Sequence, residues 1–369
     1  MITRLHAHNF RCYQNFSLDL TTLQSALVIG KNGSGKSTCM HVLGLLQRIA
    51  RGTNRLKDLV SSSDFCRFMT SEVPADAPQI RIEIDLRIKA RKMTYTLALE
   101  MPAGFREVRV AEESLWADGK LVFNRSLAQV TLGTATASFN VDWHIVALPV
   151  INERPNDNPI QSVRDFLASM ILLAPVPSIM TGYSDEPEPH VDVTASNIAS
   201  TLRSLLEQKP AAYSLLDKHI RERIADFSSV EFTDRGESGR QLVVKFEQME
   251  SLDFSMLSSG EKCFILAALV LTIHEKIGPV FCFWDEPDNH LALSEINQFM
   301  AGMRKLGSKG DGQLLITSHH PEAIRAFSDE NTFVFVRPTH QSPTQPRLLS
   351  SFQYSGSLVD ALIADELIG

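Results

Sequence analysis

Apolar and polar residues alternate from Ile2 to Leu20, and a short apolar run, Ser25 to Ile29, leads straight into glycines. Alternation of period two predicts strand, and a strand that runs into glycine predicts a tight turn. From Lys36 to Ala50 the residues Met40, Leu43, Leu46 and Ile49 recur at helical spacing, which predicts a helix opening at Lys36. Strict alternation returns at Gln79 through Ile80, Ile82, Ile84, Leu86 and Ile88, pauses at Arg91 and Lys92, and resumes with Tyr95, Leu97 and Leu99. That is the pattern of an antiparallel hairpin with one polar face. Val108 to Asn124, turning at Asp118-Gly119, predicts two further strands, and the antiparallel lobe is expected to end near Arg125.

The stretches Asn152 to Pro159 and Pro175 to Pro189 are rich in Pro, Asn and acidic residues and predict surface loops. Helical patterns occupy Val163 to Leu173 and Ile198 to Phe227. From Gln241 onward the order strand, helix, strand, helix, strand predicts a second, parallel α/β segment. There is neither a long heptad run nor an internal repeat. The expected organisation is α/β with a mixed or parallel sheet core. It comprises a first lobe with an antiparallel β subdomain over 1–150, an inserted helical lobe over 151–235 and a second lobe over 236–369.

With 369 residues, 44% of them hydrophobic, the chain can fill a core unaided. A net charge of −7 supplies no overall basic field, so contact with nucleic acid would need a local patch or a partner. Cys12, Cys39, Cys66, Cys263 and Cys282 include no C-x-x-C pair, which argues against a zinc site and a disulfide framework and fits a reducing cytoplasm. Arg4, His6 and His8 interrupt the amino terminus where an export signal needs an apolar run. The most apolar run, Cys263 to Ile273, is shorter than the roughly 20 residues of a membrane span. A buried helix is expected there.

Four motifs carry chemistry. Gly30-Lys31-Asn32-Gly33-Ser34-Gly35-Lys36-Ser37, followed by Thr38, is a G-x-x-x-x-G-K-S loop between a predicted strand and a predicted helix. Its glycines admit backbone N–H groups close to phosphates, Lys36 is the residue for the outer phosphates, and the Ser37 hydroxyl is a magnesium ligand. The apolar strand Phe281-Cys282-Phe283-Trp284 ends in the adjacent carboxylates Asp285 and Glu286. Paired acids at the end of a buried strand repel one another and are costly to desolvate unless a cation compensates. Asp285 is therefore the expected metal ligand and Glu286 the residue that orients or deprotonates water, although a solvated acidic turn has the same sequence. Leu257-Ser258-Ser259-Gly260-Glu261-Lys262 precedes the apolar helix; alone it reads as an ordinary helix cap, but beside the other motifs it reads as a second anion-binding turn. Finally, Leu314-Leu315-Ile316-Thr317-Ser318 delivers His319 at a strand end.

In this order the motifs resemble the ABC-type ATPases of the RecF, SMC and overcoming-lysogenisation (OLD) kind, often grouped with AAA proteins of prokaryotic defence. Asn9-Phe10-Arg11, the loop Gly30 to Thr38, Leu257 to Glu261, Trp284 to Pro287, Asp288 to Leu291 and Ser318 to Pro321 carry the likeness, along with Arg164 to Leu167, Pro175 to Pro177 and Ser196 to Ala199. The resemblance implies an ABC head that hydrolyses ATP with Mg2+, as a homodimer or higher oligomer sandwiching two nucleotides. In it Ser258, Ser259, Gly260 and Glu261 of one copy meet the nucleotide on the other's phosphate loop. His319 is the implied switch histidine on the γ-phosphate, and Asp288 lies in the loop joining the two sites. Ser259 and Glu261 stand where the family usually has Gly and often Gln, which implies weaker or partner-dependent turnover. Gln161 and Gln79 are candidates for the magnesium-sensing glutamine, though each also reads as an ordinary surface or strand residue, and Phe10 and Tyr13 for stacking on adenine, with core packing the better reading of Phe10.

Three uses of ATP are consistent with this resemblance. A DNA-engaging ATPase would draw on Arg48, Arg51, Arg55 and Lys57 near the first helix and Arg81, Arg87, Lys89, Arg91 and Lys92 on the hairpin, although these also read as ordinary solvated faces. A defence sensor would control a separate effector, a nuclease or toxin. The residues after the histidine contain no D-x-D cluster, so a nuclease is expected on another polypeptide. A transporter motor is disfavoured by Asn9-Phe10-Arg11 and by the long insertion between loop and signature.

Overall fold

A computed structural model describes residues 1–65, 79–102, 107–133, 137–151, 158–308 and 310–352. Cys66 and residues 152–157 of the expected loop lie outside them. The chain forms two compact units, one comprising 1–23, 28–170 and 329–369, the other 24–27 and 171–328.

The first unit is built on an eight-stranded antiparallel sheet, whose order is Phe16–Asp19, Ile2–His8, Gln79–Ile88, Arg91–Glu100, Arg109–Ala117, Lys120–Ser126, Gln129–Leu132, Ser138–Asn140. Alternation turns Ile80, Ile82, Ile84 and Leu86 to the core, each 1% exposed or less. The hairpin turns at Lys89-Ala90, with Arg87 opposite Lys92 and Ile88 opposite Arg91, and not at Arg91-Lys92 as the alternation suggests. Lys89 and Ala90 both take positive φ, the twist a two-residue hairpin demands, without the Gly or Asn that would mark it in sequence. Asp118 and Gly119 make the same turn with the expected residues. The sheet does not end near Arg125: two short strands follow, and the last has all three residues exposed, so no alternation betrays it.

Arg125 is fully buried, and its guanidinium donates to the carbonyls of Leu127, Asp142 and Ile145. Glu113, also fully buried, lies 3.6 Å from it and accepts the Tyr95 hydroxyl and the N–H groups of Ala147 and Leu148. Burial pushes the Glu113 carboxyl up, against the pull of those donors. Together the pair holds residues 142–148 on the sheet. Helix Lys36–Ala50 starts at the residue its spacing predicts and packs on helix Pro159–Ser169. An antiparallel pair, Thr332–Val336 with Gln345–Leu348, completes the unit's described part.

In the second unit Ile171–Leu173, Phe281–Asp285 and Gln313–Thr317 run parallel. Ile171 to Leu173 thus form a strand rather than the end of a helix: Pro159–Ser169 stops first, and the wholly buried apolar triplet pairs with Cys282 to Trp284. The pattern Ile198 to Phe227 divides into helices Ile198–Gln208 and Tyr213–Arg221, because Pro210 has no N–H to continue the first. Gln241 belongs to an antiparallel ladder, Phe227–Arg235, Gly239–Phe246 and Met249–Asp253, so the parallel segment begins later than its pattern suggests. Helix Ser259–Lys276 is buried without a break from Lys262 to Thr272. A helix apolar on all sides belongs in a core, and among the described residues no helix is long and apolar enough to cross a membrane. Burial pushes the Cys263 thiol up to about 12, as expected for an inert core cysteine.

Candidate functional site

The phosphate loop lies in the first unit. Gly30, Gly33 and Gly35 have φ of 151°, 79° and 103°, a backbone open to glycine and strained for other residues. A Cβ on Gly30 would meet the Phe335 carbonyl oxygen at 2.7 Å and the Ser34 hydroxyl at 2.8 Å. Lys36 is buried, and its ammonium donates to the carbonyls of Gly30 (2.9 Å) and Lys31 (3.4 Å). Ser34 Oγ is buried with no hydrogen-bond partner. An orphaned hydroxyl and an ammonium folded onto backbone dipoles, at the opening of a helix, fit an anion such as a phosphate chain. Asn32 and Ser37 are exposed, while Thr38 is buried 3.4 Å from Cys12 Sγ.

The loop is braced from outside its own motif. Arg337 donates to the Gly33 carbonyl, Thr344 to the Ser34 carbonyl and Tyr13 to the Gly35 carbonyl, each at 2.7 Å. Arg337 and Thr344 are absent from the sequence reading, and nothing in their neighbourhood marks them. Tyr13 is also not an adenine platform: it is fully buried with its ring stacked on Phe16 at 3.8 Å, and Phe10 is equally inaccessible. The buried apolar turn that needs them in the core takes both aromatics out of reach of a base.

The carboxylate strand lies in the second unit. The Thr317 hydroxyl, fully buried, donates to Asp285 Oδ1 and accepts the Glu286 N–H at 3.0 Å. Glu286 itself is left-handed, φ 46°, which costs a non-glycine residue about 1 kcal/mol or more and swings its carboxylate off the strand axis. Both of its oxygens have neighbours: His319 Nε2 lies 3.3 Å from Oε1, and Asn289 Nδ2 donates to Oε2 at 2.9 Å. His320 instead caps helix Pro321–Arg325 by accepting the Glu322 N–H, so of the two histidines it is His319 that meets the carboxylate. Asn289 escaped the sequence reading because a lone Asn after a turn carries no distinctive signal. Asp288 is largely buried with Oδ1 unpartnered, and burial pushes its carboxyl up.

Ser258 caps helix Ser259–Lys276 in a reciprocal capping box, accepting the Glu261 N–H (3.3 Å) while Glu261 accepts the Ser258 N–H (2.8 Å). The departure at Glu261 thus has a local structural use. Ser258 and Ser259 remain exposed, and a Cβ on Gly260 would lie 3.2 Å from the His290 carbonyl oxygen. Lys262 is buried, donates to the Pro177 carbonyl at 3.1 Å and has its pKa lowered by burial.

Other candidates are already engaged. Gln161 donates to Asp165 one helical turn on, and Gln79 to Glu100 across the hairpin. Four arginines of the suggested basic groove bind their neighbours: Arg48 the Asp58 and Leu59 carbonyls, Arg51 the Ala168 carbonyl, Arg81 the carboxylates of Glu83 and Glu112, and Arg91 that of Asp118.

The family described as the RecF/RecN/SMC N terminal domain matches residues 1–342. No curated protein matches the chain. A solved SmcHead bound to the C-winged helix domain of ScpA is similar over 94% of this chain and 97% of its own, at 16% identity and a TM-score of 0.60. An Smc head domain with an extended coiled coil, bound to the C-terminal domain of ScpA derived from Pyrococcus furiosus, is similar over 99% of both chains, at 15% identity and a TM-score of 0.56. The SMC head domain from Thermotoga maritima is similar over 94% of this chain and 98% of its own, at 13% identity and a TM-score of 0.50. At these identities the likeness establishes a shared fold.

Proposed function

The chain belongs to the RecF/RecN/SMC N-terminal domain family, the ATP-binding ABC-type ATPases of the RecF/SMC kind, and from that premise we propose magnesium-dependent hydrolysis of ATP between two associated copies. In this reading Gly30, Asn32, Gly33, Ser34, Gly35, Lys36 and Thr38 hold the phosphate chain, with Lys36 turning from the loop carbonyls to the outer phosphates. Ser37 and Asp285 are the magnesium ligands, a hydroxyl and a carboxylate suited to a hard cation. Magnesium, when bound, offsets charge on the outer phosphates. Glu286 takes the proton of the water that attacks the γ-phosphorus, ADP leaves with the bridging oxygen, and His319, 3.3 Å from the Glu286 carboxylate, acts as the switch histidine on the γ-phosphate. Ser258, Ser259, Gly260 and Glu261 of the second copy close over the nucleotide with their helix opening.

The observation that carries this reading is Glu286. A left-handed glutamate at the end of a buried strand, with one oxygen beside His319 and the other bound by Asn289, has no use in core packing. The test is Glu286→Gln with ATP and magnesium. Hydrolysis is expected to fall about 100-fold or more, since a positioned general base contributes roughly that much, while the mass in solution shifts to a dimer or larger assembly. An unchanged monomer that still hydrolyses ATP would remove both the base assignment and the two-copy site.

Two uses of that cycle stand side by side: control of a separate effector protein in antiviral defence, and a DNA repair or recombination role of the RecF/SMC kind. Two of the hairpin arginines, Arg81 and Arg91, are engaged with carboxylates, and solved Smc heads of this fold are bound to ScpA domains, so docking of another protein on such a head has a parallel. Copurification with an effector, released or retained according to nucleotide, is the expected result. Salt-sensitive retention of duplex DNA by the ATP-loaded chain alone would favour the repair or recombination reading instead.

A further inference from the structure

The three side chains on the phosphate loop come from two segments outside the loop motif. One is the turn 9–16, which supplies Tyr13; the other is 337–344, which supplies Arg337 and Thr344. Each segment is itself held in shape. Arg337 donates also to the carbonyls of Ser342 (3.0 Å) and His340 (2.7 Å), so one guanidinium closes its own loop and reaches Gly33. The N–H of Thr344 donates to the Cys12 carbonyl at 3.0 Å, tying the two segments together behind the loop. Thr344 is 1% exposed and Tyr13 fully buried, so both donate from within the fold.

The direction of these bonds matters more than their number. A trans peptide plane sets a carbonyl and the following N–H on opposite sides. Thr344 on the Ser34 carbonyl therefore aims the Gly35 N–H away from the brace, and Tyr13 joins the Thr38 (3.0 Å) and Cys39 (3.3 Å) N–H groups on the Gly35 carbonyl, which leaves the Lys36 N–H pointing out of the positive end of helix Lys36–Ala50. Arg337 fixes the Gly33 carbonyl, and the adjoining Ser34 N–H closes on the Lys31 carbonyl at 3.0 Å, which sets the tip of the loop. Gly35 is wedged against the same brace: a Cβ there would stand 2.8 Å from Thr344 Oγ1, 2.8 Å from Cys12 Sγ and 3.0 Å from the Tyr13 ring.

We propose that Arg337, Thr344 and Tyr13 are positioning residues for nucleotide binding, a three-point clamp on the carbonyls of Gly33, Ser34 and Gly35: Arg337 sets the loop tip, while Thr344 and Tyr13 keep the Gly35 and Lys36 N–H groups preset for the phosphates. The clamp rests on the nucleotide reading of the loop. It acts equally on bound ATP and on the transition state, so its loss raises KM and leaves kcat nearly unchanged, unlike loss of Glu286.

The experiment measures ATP binding by calorimetry and steady-state hydrolysis for the full chain and for Thr344→Val, Thr344→Ser, Arg337→Ala and Arg337→Lys, with melting temperatures taken without nucleotide. Wild type binding ATP, with Lys36→Ala failing to bind, establishes the loop reading by itself; wild type that does not bind overturns the loop reading and the clamp with it. Given binding, Thr344→Val is expected to weaken ATP affinity about 5-fold and Arg337→Ala about 10-fold, the effect of one lost neutral or charged hydrogen bond. Thr344→Ser, which keeps the hydroxyl, is expected to restore affinity, and Arg337→Lys, with a single ammonium in place of the fork, to fall between. Lowered melting temperature with ATP affinity within twofold of wild type in both Thr344→Val and Arg337→Ala would reduce the contacts to ordinary fold support and overturn the clamp. If Arg337→Ala does not fold, the Thr344 pair decides alone: equal affinity in Val and Ser overturns it.

Discussion

The phosphate loop and the end of strand Phe281–Asp285 both present polar groups at the edge of an apolar core, yet they are held differently. Loop carbonyls are gripped by side chains 22, 304 and 310 residues away in sequence. The strand end is held by its immediate surroundings: Thr317 on the adjoining strand, Asn289 three residues on, and His319 two residues beyond Thr317. The difference lies in what needs fixing. A loop with no ladder of its own must have its peptide planes set from outside, whereas a strand in a ladder needs only a neighbour to aim its last residues. Changes around the loop should therefore act on affinity, and changes around the strand end on turnover.

Gly35→Ala is the largest expected break in that contrast. At φ 103° with three heavy atoms within 3.0 Å of the new methyl, it combines a strained backbone with overpacking. The cost is expected near 3 kcal/mol of stability, summed from about 1–2 kcal/mol for each effect, with ATP binding lost. Thermal melting with and without ATP reads both at once. Alanine at Gly52, also at positive φ but with open space around it, is the control, and its cost should be only the backbone share. Equal melting temperatures for the two variants would show that the wedge at Gly35 is not rigid.

Thr317→Val is smaller and should move the other parameter. The shape is nearly kept, but Asp285 loses its hydroxyl donor and the Glu286 N–H loses one of its two acceptors, since the Thr317 carbonyl remains at 3.2 Å. A fall in kcat of about 10-fold is expected from a lost positioning bond, with ATP affinity in the absence of magnesium unchanged. A shift in affinity with kcat preserved would reverse the assignment of the two regions.

The same contrast explains what the sequence made legible. The G-x-x-x-x-G-K-S pattern, the paired acids after an apolar strand and helix Lys36–Ala50 are local, and their chemistry is written in consecutive residues. The serine turn at Ser258 was equally visible, and the capping box there shows why both readings of it were open: one hydroxyl geometry serves either. The bracing was not legible, because Arg337 and Thr344 lie in an unremarkable polar stretch and their partners are backbone carbonyls, which carry no sequence. Tyr13 is visible only as a candidate base platform, since an aromatic near a phosphate loop suggests stacking until its burial against Phe16 is known. The hairpin turn at Lys89-Ala90 was missed for a related reason: two left-handed residues with side chains leave no composition signal.

The smallest expected effect tests how far back the bracing extends. The turn that carries Tyr13 has Asn9, Arg11 and Asn15 at φ near 50°, and it is docked by Asp64, whose carbonyl accepts the Arg11 N–H at 2.7 Å and whose carboxylate accepts the Arg11 guanidinium at 2.8 Å and the Ser61 N–H at 3.0 Å. Burial pushes the Asp64 carboxyl up, but the Ser61 N–H and Arg11 outweigh it, and its pKa lies below the ordinary value. A carboxylate with a depressed folded pKa contributes stability that is present above its unfolded pKa, about 3.9, and is lost as pH falls through the folded one. Asp64→Asn is therefore expected to cost about 1 kcal/mol at pH 7, discounted for the partial exposure of Arg11, with the gap from wild type closing below about pH 4. Urea unfolding at a series of pH values measures it. A gap constant down to pH 3 would mean that the charge of Asp64 does not hold the turn. If the gap closes while ATP affinity at pH 7 falls less than in Thr344→Val, the hold on the loop weakens with each step away from it, from Thr344 through Tyr13 to Asp64.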